Sequence, residues 1–173
     1  MKRLQAKVGL IFTICAVAAT CAAPPTPAIM DQLIGSWTLT GTIAGKQTTH
    51  DVIAEWVLKH GYVRIHEVSL EKEGSGVPAY EAFIFISRDA TGGECSCLWL
   101  DSTGTTRFSA DAVGHAKIKK DAIPFVFKDA SNNVTFENTF SYNAKSDSWE
   151  WMMDNVDRGK RIPFGRVKLV RKQ

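Results

Sequence analysis

From residue 34 onward the chain alternates apolar and polar positions with a period of two, and no stretch sustains a helical period of any length. In the first strand Trp37, Leu39, Gly41 and Ile43 alternate with Ser36, Thr38, Thr40 and Thr42, so one face is core and the other polar. The same pattern predicts strands over 51–58, 61–70, 79–87, 94–101, 105–113, 122–128, 134–142, 148–156 and 163–171. Their separators carry turn chemistry, as in Glu73-Gly74-Ser75-Gly76, Ser102-Thr103-Gly104 and Ser131-Asn132-Asn133. They are short, so neighbours pair as successive antiparallel hairpins. Ten such strands build either a sandwich or an all-β up-and-down barrel, and the barrel removes the edges that an open meander exposes. Ahead of them Ile29, Met30, Leu33 and Ile34 have helix-like spacing over barely two turns, which predicts a short N-terminal helix plugging one end.

The N-terminus has a different pattern. Lys2, Arg3 and Lys7 precede an apolar run from Val8 to Ala19 and then small residues, the layout of a secretory signal. The run is too short to span a bilayer as a mature helix, and Pro24, Pro25 and Pro27 separate it from the rest of the chain. The expected organisation is a signal over 1–22, with cleavage as late as residue 28, a Pro-rich lead-in over 23–32, and one barrel domain over 33–173. An exported protein, periplasmic or secreted, is expected. Ala18-Ala19-Thr20-Cys21 has the position and small residues of a bacterial lipobox, without its aliphatic residue three before the Cys; lipid anchoring at Cys21 in the envelope is the alternative.

Charge and cysteine content change meaning once that segment is set apart. The chain's net charge of +3 belongs to Lys2, Arg3 and Lys7; without them 18 basic residues face 18 acidic ones. A neutral domain with no basic stripe lacks the footprint of a nucleic-acid binder. Of four cysteines only Cys95 and Cys97 remain, which supports no disulfide framework and reads as two small buried hydrophobes. His50, His60, His66 and His115 lack metal-ligand spacing, so no metal is expected. No nucleophile elbow, phosphate loop or His-Glu-x-x-His motif is present, and no catalytic residue is assigned.

Leu33-Ile34-Gly35-Ser36-Trp37 resembles the Gly-x-Trp opening of lipocalins and their calycin relatives. With Trp99-Leu100-Asp101-Ser102-Thr103-Gly104, Trp149, Trp151 and a late Arg, residues 33–171 resemble a bacterial lipocalin-like family known as domain of unknown function 1579. The resemblance implies a calycin barrel in which an Arg on the last strand packs over the first-strand Trp. Arg171 shares a face with Val167 and Leu169, so Gly35, Trp37 and Arg171 are the expected closure set. The looser likeness to haem-binding nitrobindin-like barrels would require a late-strand His, which is lacking, so no cofactor is expected.

Three features carry candidate chemistry. Arg64 and His66 point to one side of the third strand and would recognise an anionic head group if that side is luminal. Glu55 and Glu81, the latter beside Phe83 and Phe85, each interrupt an apolar stretch; if buried they need a partner, for which Arg64 is placed, and otherwise they are surface carboxylates at strand ends. Phe136, Asn138 and Phe140 with Trp149 and Trp151 form an aromatic wall suited to an apolar or amphipathic ligand, or simply to core packing. The expected function is small-molecule binding in the lumen. The alternatives are an enzyme using Arg64, His66 and Glu81, and an envelope interaction protein with a filled barrel.

Overall fold

A computed structural model describes residues 29–88, 93–104 and 109–173. The expected signal over 1–22 with Cys21, and residues 23–28 of the expected lead-in, lie outside the described residues. Ten strands succeed one another: β1 (Gly35–Ile43), β2 (Lys46–Val57), β3 (Tyr62–Ser69), β4 (Glu81–Arg88), β5 (Glu94–Asp101), β6 (Val113–Lys117), β7 (Ala122–Lys128), β8 (Val134–Asn143), β9 (Ser148–Asp157) and β10 (Lys160–Arg171). Each pairs antiparallel with its sequence neighbour, and β1 pairs with β10, closing an up-and-down barrel.

Two strands begin earlier than the alternation predicts, because two-residue turns carry the ladder to its tip. Ala44 and Gly45 both have positive φ (50° and 78°), the geometry whose twist matches the flanking strands, so Ile43 pairs with Lys46 and β2 starts there rather than at residue 51. Arg158 and Gly159 (φ 49° and 77°) do the same between β9 and β10, so β10 begins at Lys160 rather than Pro163. Immediately after Pro163 comes a bulge at which pairing shifts by one residue.

The sixth strand is a correction. It covers Val113–Lys117 rather than 105–113; Ala110–Ala112 form a 3₁₀ turn, and residues 105–108 lie outside the described residues. Residues 102–104 form a turn, and Gly114 and Ala116, with little apolar signal of their own, supply the inward face.

The predicted helix plug also changes. The structure has one 3₁₀ turn there, Ile29–Leu33, whose Met30 and Leu33 are buried against the barrel core. Five residues are too few for an α-helix, and no plug beyond this turn is supported. Its carbonyls are taken from below: Trp37 Nε1 donates to Leu33 O at 2.8 Å, and Trp149 Nε1 to Gln32 O at 3.2 Å.

Side chains alternate between lumen and exterior along the strands, with a break at the β10 bulge. Next to the 3₁₀ turn the interior is solid: the Phe140 ring stacks on Trp151 at 4.3 Å and meets Phe125 edge-on at 5.5 Å, while Ile65, Ile84 and Ile86 fill the facing wall. Cys95 and Cys97 point inward and are buried there. Burial, then the neighbouring Cys95, pushes the Cys97 thiol well above its ordinary range.

Candidate functional site

The barrel is filled at one end and hollow at the other. Opposite the 3₁₀ turn lies a cavity of about 630 Å³, within the range of small-molecule sites. One wall is apolar: Ile43 at the end of β1, Phe136 at the start of β8, Met153 on β9 and Phe164 in the β10 bulge. The bulge is what admits Phe164: its carbonyl leaves the β9 ladder to accept the Ala44 N–H at 2.8 Å, and its ring meets Phe136 edge-on at 5.8 Å.

The other wall is polar and comes from β2, β3, the segment before β4, and β5. His50 faces inward because it continues the Thr48, Val52, Ala54 face of β2; Glu67 faces inward because it continues Val63 and Ile65 on β3. Antiparallel register sets His50 opposite Ser69 and Val52 opposite Glu67, so the two side chains meet diagonally. His50 Nδ1 donates to Glu67 Oε1 at 2.5 Å, and both residues are buried. His50 Nε2 lies 2.6 Å from Thr48 Oγ1, which donates to Glu71 Oε2 at 3.3 Å.

Tyr80 stacks on the His50 ring at 5.5 Å, and its hydroxyl accepts from Trp99 Nε1 at 3.1 Å. Burial, then the Glu67 and Asp101 carboxylates, hold the Tyr80 phenol far above its usual range, so it stays neutral. Asp101 closes the cluster while its Oδ1 accepts the Thr103 and Gly104 N–H groups at 2.8 and 2.9 Å. Glu71 is held below the ordinary carboxylate range, chiefly by its own backbone N–H.

The residues expected in the lumen separate into three groups. Arg64, His66 and Glu81 stand on the outer face, which corrects their placement: on β3 the buried set is Val63, Ile65, Glu67 and Ser69. Outside, Arg64 pairs with Glu55, and His66 Nε2 lies 2.7 Å from Glu81 Oε1 with its ring stacked 4.3 Å from Phe83. This is cross-strand surface packing, in register with His66 opposite Phe83.

Asn138, Phe140, Trp149 and Trp151 do point inward, but they belong to the filled half. Of the expected aromatic wall only Phe136 lines the cavity. Asn138 is fully buried between Phe125 and Met153, and neither amide atom has a hydrogen-bond partner among the described residues.

Gly35, Trp37 and Arg171 converge at the filled end. The Arg171 guanidinium lies 4.0 Å over the Trp37 ring, and Nη1 donates to Ile34 O at 2.9 Å. Gly35 has φ +135°, and a Cβ there would sit 2.3 Å from Arg171 Nη1, so only glycine fits.

Sequence reasoning missed His50, Glu67 and Tyr80. A signal existed: Leu39 pairs with His50 across the first hairpin, so extending the strongly alternating first strand through its turn places His50 on the core face. Among the described residues no group of three or more His, Cys, Asp or Glu is arranged to hold a metal ion. No protein-family model matches the chain, and no curated protein matches it in sequence.

Proposed function

We propose that this protein binds a small amphipathic molecule inside its barrel. One observation carries the reading: a cavity of about 630 Å³ with Ile43, Phe136, Met153 and Phe164 on one side and His50, Glu67, Tyr80 and Asp101 on the other. A filled structural barrel has no need of such a space, and burying His50 and Glu67 beside it costs desolvation that packing alone does not recover. The polar wall orients one end of a ligand, and the apolar wall removes the other from water.

The lipocalin-like family reading supports the same role through Gly35, Trp37 and Arg171. Residues 1–22, read as an export signal, support action outside the cytoplasm. The enzyme alternative built on Arg64, His66 and Glu81 loses its basis, because those groups stand outside the lumen.

The test is to purify the full chain, record its mass under native and denaturing conditions, and extract it with organic solvent. A carrier shows a mass difference that disappears on denaturation, with a discrete small molecule in the extract. A protein whose two masses agree, and whose melting temperature is unmoved by a panel of amphipathic compounds, is not a carrier.

A further inference from the structure

Glu67 is the cavity-lining group whose hydrogen bonding is incomplete. The residue is 2% exposed, Oε1 accepts from His50, and Oε2 has no hydrogen-bond partner among the described residues. A buried carboxylate oxygen left in this state is destabilising, and at a cavity wall a donor from a bound molecule can satisfy it. What it lacks is a donor.

The surrounding charge has a definite sign. Glu71 and Asp101 add two carboxylates to the same wall, against His50 and Lys46. Among the described residues no arginine lines the cavity: Arg64 is outside, and Arg171 is at the opposite end with Asp147 and the Ile34 carbonyl. Asp101 Oδ1 is occupied by its own turn, and Tyr80 remains a neutral phenol. Among the described residues an anionic head group would meet carboxylates and no guanidinium to fork onto.

We infer that the cavity selects a protonated amine carried on an apolar body, its nitrogen donating to Glu67 Oε2 and its body lying along Phe136, Met153 and Phe164. The inference rests on the small-molecule-binding reading and gives it a chemical class. A charge-assisted hydrogen bond to a buried, otherwise unpartnered oxygen is the strong kind. The same geometry rejects carboxylates, the opposite of the preference expected from Arg64 and His66.

Three probes of equal chain length decide it by isothermal titration of the full-chain protein: decylamine, decanol and decanoate, below their micellar concentrations. Decylamine should bind about tenfold or more tighter than decanoate, the margin a charge-assisted bond and an avoided like-charge contact together supply. Glu67→Gln should remove most of that margin between decylamine and decanoate.

Decanoate binding as tightly as decylamine to the unaltered protein overturns the inference, and that comparison requires no variant to fold. An amine preference that survives in Glu67→Gln also overturns it. If decanol and decylamine both fail to bind, the binding reading itself fails, an outcome distinct from lost selectivity.

Discussion

The Arg171 guanidinium covers the Trp37 indole at 4.0 Å while its Nε and Nη2 hold the Asp147 carboxylate and its Nη1 the Ile34 carbonyl. One side chain thus ties the last strand to the first, to the β8–β9 turn and to the segment after the 3₁₀ turn. Arg171→Ala should lower stability by about 2 kcal/mol or more, the sum of a part-exposed cation–π contact and several hydrogen bonds. Arg171→Lys should recover only part, since an ammonium lacks the fork. Urea midpoints measure both; an Arg171→Lys midpoint equal to the original would contradict the account.

Asp147 makes that contact dependent on pH. The Arg171 hydrogen bond is the main cause of its depressed pKa, with Tyr142 Oη also donating to Oδ1 at 3.0 Å. A carboxylate whose folded pKa is lowered stabilises the fold above its unfolded value, about 3.9, and that contribution is lost as pH falls through the folded pKa. Asp147→Asn should therefore be less stable at pH 7, with the gap closing below about pH 4. A gap constant from about pH 7 to about pH 2.5 would show that the ionised carboxylate is not the source.

Asn138 is a polar amide fully buried without hydrogen-bond partners among the described residues. Asn138→Leu keeps the branching and the number of heavy atoms and removes the unsatisfied groups, so it should raise stability by about 1 to 3 kcal/mol less the strain of fitting the bulkier methyl groups. Chemical denaturation of the two proteins decides it. A destabilised Asn138→Leu would mean that the amide is satisfied in solution.

Cys97 lies in the packed half with its thiol pushed up by burial. In the native protein it should react with a thiol reagent at neutral pH only at the rate of unfolding, and within seconds in denaturant. Rapid native labelling at Cys97, located by peptide mass, would show that this wall opens.

The barrel was legible where the first strand alternates cleanly: Trp37 and Leu39 inside, Thr38 and Thr40 outside, with their partners set through register. It was not legible on β3, where Tyr62, Arg64, His66, Val68 and Leu70 compete with Val63, Ile65, Glu67 and Ser69. Each set mixes apolar and polar residues, so a period of two fixes the alternation but not its phase. The outer Phe83 and Phe85 added a misleading aromatic signal beside Glu81, because the exterior of this barrel carries aromatic rings across its strands. The His50–Glu67 contact joins strands across a turn and a diagonal register, which no local spacing reports.

Closure of the ring has a kinetic consequence. The bond from Arg171 to Ile34 spans 137 residues, whereas every other strand pairing joins neighbours through a short or moderate connection. Nine hairpin steps can form locally, but β1 and β10 must wait for each other with their backbone N–H and C=O groups unpaired. The slowest step in reaching the native state should be this single long-range seam, and the species that precedes it presents two open edges to neighbouring chains.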